Sequence, residues 1–243
     1  MPDEHYINPK LASLYDLDSG WSIERDFYVR FAGPTTDHRV LDIGCGTGLI
    51  SRRLAQNGHH VVGVDPAKAM LETARRSPGG DKVRWVCATA QAMDLGQRFD
   101  RIMMSGNAFQ VLLNNDDLHA ALTAMHRHLA PDGQIAFETR NPRLDWAKRW
   151  DYQMTLDTPQ GTVHERRTFL ARDGDFLTFR LEYDFDDGQR LTSQSLLRFW
   201  SRQDVETHLR QAGLKAAAIY GDWVGGPIDP NTSEEMIFIA EIA

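Results

Sequence analysis

Three glycines at alternate positions, Gly44, Gly46 and Gly48, follow a short apolar segment that ends at Ile43. Glycine has no Cβ, so the backbone of such a loop can approach a ligand without a steric clash. A second apolar segment ends at Asp65, whose carboxylate can accept hydrogen bonds from both hydroxyls of a ribose. Two buried strands joined through a glycine loop and a helix, with a carboxylate after the second strand, are typical of a site for an adenosine-containing cofactor.

The spacing of the glycines distinguishes between adenosine cofactors. A dinucleotide site has the pattern GxGxxG, whereas this chain has GxGxG followed by Leu49. This spacing disfavours a nicotinamide-dependent oxidoreductase. Asp42 also stands two residues before the first glycine. A glycine-rich turn without a ligand would fit the loop as well, but three glycines at the start of a helix cost stability and need a reason.

The sequence from about residue 38 to residue 141 resembles the class I S-adenosylmethionine (SAM)-dependent methyltransferases. The pattern Asp-x-Gly-x-Gly-x-Gly that begins at Asp42 carries the resemblance, together with Asp65 after the next strand. The segment Phe99–Met103 is similar to the fourth-strand motif of that family, and His128–Gln134 is similar to its L-x-P-G-G turn, with Asp132 in place of a glycine. The resemblance implies SAM as the cofactor.

The resemblance also implies a set of cofactor contacts. The glycine loop would present its backbone to the methionine portion of SAM, and Asp65 would bind the ribose. The segment after the third strand stands where family members bind adenine. Family members often have an acid at the first position of this segment, where this chain has Thr89. Met70 would cover the adenine ring, or else is an ordinary core residue. The predicted cofactor-binding residues are Asp42, Gly44, Cys45, Gly46, Gly48, Asp65, Pro66, Met70, Thr89, Ala90, Gln91 and Ser105.

Four residues are predicted on the side of the methyl acceptor. Asn107 and Gln110 follow the fourth strand, at the carboxyl edge of the sheet, where ligands bind in doubly wound folds. They are explained equally well as caps of the loop and of the next helix. Arg140 ends the fifth strand and either reaches the pocket or forms a surface ion pair. Tyr15, like Trp21, either closes over the cofactor or packs within an N-terminal helix.

The loop after the fourth strand also disfavours some reactions. Nucleic-acid amino-methyltransferases that resemble this fold have a Pro-Pro motif there, whereas Ser105–Gln110 contains no proline. The metal-dependent catechol type places an acid at this edge, and the loop has none, so we expect no metal. The sequence shows no evident pair of a histidine and an acid that could act as a general base. Because a hydroxyl acceptor would need such a base, this favours an amine as the methyl acceptor.

Alternating strand and helix patterns predict an α/β fold with a doubly wound, mostly parallel, seven-stranded, Rossmann-like sheet. Between about residues 153 and 200, turn signals at Thr158–Gly161, Asp173–Gly174 and Asp186–Gly188 predict an inserted antiparallel β-hairpin subdomain of about four strands. The resemblance places this insert among substrate-covering elements. The predicted organisation is an N-terminal helical cap (1–37, with one or two helices between about residues 8 and 33), a SAM-binding core (38–141), an inserted antiparallel β lid (142–200) and a return helix with the last two strands (201–243).

The 243 residues carry a net charge of −7 at neutral pH and contain no long basic segment. This balance disfavours nucleic acid as a partner, because phosphate binding requires a basic surface. Two unclustered cysteines and an N-terminus without a signal-peptide pattern predict a cytoplasmic protein that does not contact a membrane. We therefore expect a SAM-dependent methyltransferase that acts on a small molecule, and the sequence leaves a homodimer open. The alternatives are a protein or RNA methyltransferase and a non-catalytic SAM-binding module.

Overall fold

The computed structural model describes residues 3–34 and 37–243. Four helices precede the first strand, namely α1 (Glu4–Ile7), α2 (Pro9–Ala12), α3 (Tyr15–Ser19) and α4 (Ile23–Ala32). The prediction of one or two helices was wrong because the chain interrupts them. Asn8 is extended and its side chain accepts the N–H of Lys10, which starts a new helix, and Gly20 ends α3 with a φ of 47°. Of the predicted cap over residues 1–37, residues 1, 2, 35 and 36 lie outside the described residues.

The strands form two sheets. The strands are β1 (Arg39–Ile43), β2 (His60–Asp65), β3 (Arg84–Cys87), β4 (Phe99–Met104), β5 (Leu129–Arg140), β6 (Tyr152–Thr158), β7 (Gly161–Asp173), β8 (Phe176–Phe185), β9 (Arg190–Arg198), β10 (Leu214–Tyr220) and β11 (Glu235–Ile242). The main sheet has the order β10-β11-β5-β4-β1-β2-β3. Neighbours among β1 to β5 are parallel, whereas β11 is antiparallel to β5 and to β10. The predicted seven-stranded, mostly parallel sheet is confirmed.

Helices cover both faces of the main sheet, and these helices are α5 (Leu49–Gln56), α6 (Lys68–Arg76), α7 (Asn115–His128) and α8 (Arg202–Gln211). One face packs against α7 and α8, and the opposite face packs against α4 and α5. The helix after β2 begins two residues beyond Pro66. Ala67 is extended, because its N–H is bound by the carboxylate of Asp65, and the helix begins only at Lys68.

The predicted turn over residues 130–133 lies inside β5. Pairing with β4 shifts there from Phe99 opposite Leu129 to Arg101 opposite Gln134, so four residues form a bulge opposite one. Gly133 suits this bulge, since a Cβ there would lie 2.7 Å from Cδ1 of Leu129 and 3.0 Å from the carbonyl oxygen of Phe99. The bulge leaves the carboxyl half of β5 in regular register with β4.

The insert forms a separate antiparallel sheet in the order β6-β7-β8-β9, with turns at the predicted positions. This sheet shares a hydrophobic core with the N-terminal helices, in which Leu11 and Leu14 pack with Trp146, Trp150 and Phe199. The insert and the N-terminal helices are therefore one packed unit.

Gly48 has a left-handed backbone and lies against an aromatic ring. A Cβ on Gly48 would lie 2.1 Å from Cη2 of Trp85, and the indole N–H of Trp85 is held by the carbonyl of Gly80 at 2.8 Å. We predict that Gly48→Ala lowers the free energy of unfolding by about 2–5 kcal/mol, because left-handed strain and overpacking add. Gly174→Ala is the matched control, since Gly174 has a φ of 56° and a Cβ added there would meet no atom within 4 Å. Urea unfolding measures both variants, and equal losses would contradict the steric explanation.

Candidate active site

The loop from Gly44 to Gly48 connects β1 to α5 at the carboxyl edge of the main sheet. Its three glycines have φ values of 69°, 54° and 73°. The carbonyl of Val64 accepts the N–H groups of Gly44 and Cys45 at 2.8 and 3.2 Å, which fastens the loop to β2. Internal packing explains Gly44, whose Cβ would lie 2.8 Å from Cβ of Ala108, as it explains Gly48. Of the three glycines, Gly46 is the one that protein packing does not explain, so the predicted close approach to a ligand applies to this residue.

Gly46 borders an open space. The nearest atom to the position of a Cβ on this residue is Cε1 of Tyr15, at 3.9 Å. Tyr15 belongs to α3, whose Asp16 accepts hydrogen bonds from the hydroxyl of Thr47 and from Nη2 of Arg52, the latter at 3.0 Å. The N-terminal cap is thus fastened over the glycine loop, with the ring of Tyr15 above its central glycine.

Asp65 joins the glycine loop to the start of α6. Its Oδ2 accepts the N–H of Gly46 at 2.9 Å, and its Oδ1 accepts the N–H of Ala67 at 2.8 Å. Burial raises the pKa of Asp65, and these two amides oppose that rise. Each carboxylate oxygen accepts more than one hydrogen bond, so the predicted ribose contact is compatible with both amides.

Asp42 lies buried beneath the loop with an unused acceptor. Its Oδ2 accepts the hydroxyl of Ser51 at 2.6 Å, whereas Oδ1 has no partner among the described residues. Burial raises the pKa of Asp42 to about 7. SAM carries a positively charged sulfonium and an ammonium group, which suit a site with two buried acids and one orphaned carboxylate oxygen. The two buried carboxylates therefore fit this cofactor.

The predicted adenine-side residues lie around α6 and the end of β3. Met70 is buried in a cluster that joins α6 to Ala12, Tyr6 and Tyr15 of the cap, so it packs the cap whether or not it covers a ring. Thr89 is exposed, Ala90 is buried and Gln91 is part-buried. Pro66, which follows β2, is exposed as well. Trp21 contacts Arg53 of α5, with Cζ 4.9 Å from the ring centroid, and so lies on the outer side of the cap.

A buried carboxylate supports the loop after β4. Glu138 of β5 is 0% exposed and accepts hydrogen bonds from the hydroxyl of Tyr28 and from the backbone N–H of Asn107. Burial, and then the negative charge of Glu24, raise the pKa of Glu138 well above its ordinary value. Glu24 itself accepts the N–H of Gly106 at 2.9 Å. Two acids therefore hold this loop, in which Asn107 has a left-handed φ of 58°.

Three of the predicted acceptor-side residues contact one another. Arg140 donates from Nη1 to Oε1 of Gln110 at 2.8 Å. The Asn107 amide, oriented to satisfy both of its ends, accepts from Nη2 of Arg140 at 3.3 Å and donates to Oε2 of Glu235 at 3.2 Å. Burial raises the pKa of Glu235 to about 7, although the charge of Arg140 opposes this. Ser105 lies part-buried at the end of β4, where its carbonyl accepts the N–H of Ala108 at 3.3 Å.

The contacts of Arg140 and Gln110 extend to the insert and to each other. Arg140 is part-buried and forms no surface ion pair within the described residues, and Gln110 donates to the carbonyl of Arg198 in the insert at 3.3 Å rather than capping a helix. Sequence reasoning missed Glu138, Glu235 and Tyr28. An acid within the apolar segment before Arg140 was the available signal for Glu138. No local signal marked the other two.

Comparisons with known proteins agree with this geometry. Residues 40–133 match the family model of a methyltransferase domain. A glycine/sarcosine N-methyltransferase of Halorhodospira halochloris is 28% identical over 236 residues, which are 90% of this chain and 82% of the relative. A ubiquinone biosynthesis O-methyltransferase of Pseudomonas fluorescens (strain SBW25) is 32% identical over 174 residues, 68% of this chain and 66% of the relative. The solved structure of a SAM-bound amino pentose methyltransferase of Micromonospora echinaspora, involved in calicheamicin biosynthesis, is 25% identical, with a TM-score of 0.67 and 95% of each chain covered.

The sheet order, the glycine loop over its two acids and these similarities define one class of enzyme, and the chain belongs to the class I SAM-dependent methyltransferases. The chain is therefore a SAM-dependent methyltransferase. The sequence-based prediction of fold, cofactor and enzyme class is confirmed. Among the described residues, no helix combines the length and the apolar character needed to cross a membrane.

Asp65→Ala tests the predicted cofactor contact. We expect the affinity for SAM to fall about tenfold to a hundredfold for each lost hydrogen bond to the carboxylate, each of about 1.5–3 kcal/mol. Calorimetry with SAM measures the affinity, and urea unfolding measures the loss of the two amide contacts. Asp132→Ala, an exposed acid in the amino half of β5, is the control. A folded Asp65→Ala protein with the SAM affinity of the parent would show that Asp65 does not bind the ribose.

Proposed function

We propose that the protein is an N-methyltransferase whose acceptor is an amine on a small molecule. The observation that carries this proposal is the position of Glu235, whose carboxylate contacts Asn107 at the carboxyl edge of the main sheet. Glu138 lies behind the same residue and binds its backbone N–H. Acids at this position favour an acceptor that arrives with a positive charge, as an amine does at neutral pH.

The proposed mechanism requires a free lone pair on the amine. SAM supplies a methyl group on a positively charged sulfur that leaves as a neutral thioether. Glu235, with a pKa of about 7, takes one proton from the ammonium group onto a carboxylate oxygen. Held by Asp42, Asp65 and the glycine loop, the cofactor would give its methyl group to the freed amine nitrogen and would keep the electron pair of the C–S bond on sulfur. Asn107 orients both the carboxylate and the acceptor.

The other predicted site residues have supporting roles in this proposal. Asp42, Asp65 and the backbone of the glycine loop bind the cofactor, and Tyr15 covers it. We propose that the cap (1–37) and the insert (142–200) cover the acceptor and exclude water. Contacts of Arg140, at the end of β5, support this role. Its guanidinium lies 5.5 and 5.2 Å from the ring centroids of Trp146 and Trp150, two residues that precede β6 in the chain.

The remaining expectations about the protein stay proposals. The net charge of −7 supports a partner other than nucleic acid. The free cysteines, Cys45 and Cys87, support a cytoplasmic location. A homodimer is compatible with a small-molecule site that each chain builds from its own residues.

A panel of acceptors tests the proposal. Pairs of small molecules that differ only in carrying an amino or a hydroxyl group are incubated with SAM, and S-adenosylhomocysteine is measured. We expect turnover with amines, because Glu235 is placed to remove the proton of an ammonium group. Preferred turnover of the hydroxyl partners would favour O-methylation, for which the similarity to the ubiquinone O-methyltransferase is the precedent.

Glu235→Gln tests the proposed proton acceptor. Because Glu235 must be ionised to accept a proton, the parent rate should rise with pH through about 7. The variant should lose this rise and about 10²-fold in kcat, with SAM affinity retained. Glu234→Gln, at the neighbouring exposed position, is the matched control. An unchanged pH–rate profile in Glu235→Gln would exclude Glu235 from the proton transfer.

A further inference from the structure

Arg167 in β7 of the insert carries a guanidinium group that is packed among aromatic rings. Its Cζ lies 4.8, 4.9 and 5.8 Å from the ring centroids of Phe179, Tyr152 and Trp150. Its Nε is buried, and the N–H of that atom has no hydrogen-bond acceptor among the described residues. Glu165, two residues earlier, uses Oε1 to accept the hydroxyl of Tyr152 at 2.7 Å. A buried cation of this kind is costly unless an anion joins it.

Arg140 of the main sheet approaches the same ring. The Cζ atoms of Arg140 and Arg167 lie 5.2 and 5.8 Å from the ring centroid of Trp150. Burial, together with the positive charge of Arg167, lowers the pKa of Arg140. Two guanidinium groups from different sheets are therefore held near one indole, between the end of β5 and the insert.

Two aromatic side chains of α1 also face Arg167. His5 of α1 is bound to the hydroxyl of Ser193, with 2.9 Å between Nδ1 and Oγ. Burial, and then the charge of Arg167, lower the pKa of His5 to about 4, so this ring is neutral at physiological pH. Burial raises the pKa of Tyr6, so its hydroxyl is neutral as well. These two side chains therefore add no charge next to Arg167.

We propose that Arg140 and Arg167 together bind a carboxylate group of the methyl acceptor. This inference deepens the proposed function and rests on it, since it makes the acceptor an amine that also carries a carboxylate. A guanidinium group donates two parallel hydrogen bonds to a carboxylate, and it can do so while stacked on an aromatic ring. A doubly charged phosphate is disfavoured, because the acids Glu138 and Glu235 act on Arg140 from the other side.

The contacts of Asn107 connect the two halves of this acceptor site. Asn107 accepts from Arg140 at 3.3 Å and donates to Glu235 at 3.2 Å, so the arginine and the acid lie on opposite ends of one amide. A carboxylate bound by Arg140 and Arg167 would place a nearby amine on the side of Glu235. The order of charges in the site therefore matches a small amino acid or another compact zwitterion.

Binding of small probes tests this site. With S-adenosylhomocysteine at saturation, ligand-observed NMR titrations compare acetate, benzoate and glycine with acetamide, benzamide and glycinamide, and methyl phosphate serves as the doubly charged probe. We expect each carboxylate to bind about tenfold or more tightly than its amide. Arg167→Gln should abolish this preference, and Arg167→Lys, which keeps the charge without the planar fork, should restore only part of it.

Arg166→Gln is the matched control, because Arg166 is exposed on the opposite face of β7 and should leave carboxylate binding unchanged. Urea unfolding and affinity for S-adenosylhomocysteine establish that each variant is folded. A preference for carboxylates that survives in Arg167→Gln, or an Arg167→Gln effect on stability alone, overturns the proposal, as does tighter binding of methyl phosphate. Carboxylate binding by a protein that methylates no amine would contradict the proposed N-methylation and leave this site intact.

Discussion

Burial of carboxylates at the carboxyl edge of the main sheet is the constraint on which the site depends. A carboxylate removed from water is stable only when hydrogen-bond donors or positive charges surround it. Asp65 and Glu138 obtain donors from the backbone N–H groups of Gly46 and Asn107, in the two loops that form the site. The same hydrogen bonds that satisfy the acids therefore fix the loops, so the conformation needed for binding exists before a ligand arrives.

These acids also give the site an electrical direction. Asp42 and Asp65 lie under the glycine loop, which suits a positively charged cofactor. The charge changes sign across Asn107, because its amide donates to the carboxylate of Glu235 at one end and accepts from the guanidinium of Arg140 at the other. Methyl transfer from a sulfonium to an amine needs little covalent help from the protein, so alignment and charge are the main contributions available to these residues.

The N-terminal helices, the insert and the glycine loop are joined by contacts between residues distant in the chain. The N-terminal helices pack into the insert through Leu11 and Leu14, and they are fastened to the glycine loop through Asp16. The insert contacts the core through the carbonyl of Arg198, which accepts from Gln110. Because cap and insert share a core, movement of one element requires movement of the other, and we infer that access to the acceptor side is controlled by this unit as a whole.

The sequence by itself determined the parts that local patterns encode. The glycine loop and Asp65 lie within one strand–helix–strand unit, whose spacing specifies the cofactor. Two of the three hairpin turns of the insert contain Asp-Gly, and few residues other than glycine tolerate the backbone that such turns need. Three helices rather than one or two lie between residues 8 and 33, because the chain breaks after Ala12 and again at Gly20, which ends α3 with a positive φ.

Only the tertiary structure decided the acceptor side. The antiparallel register of β11 on β5 places Glu235 opposite Arg140, although the two lie far apart in the chain. Tyr28 meets Glu138 through the packing of α4 on the sheet, and Arg167 meets Trp150 through the pairing and packing of the insert. An isolated acid or arginine in a sequence is usually a solvated side chain, and its chemistry changes only when long-range packing removes water and supplies neighbours. The cofactor class was therefore encoded in short-range spacing, whereas the charged contacts around Arg140 and Glu235 arise between distant segments.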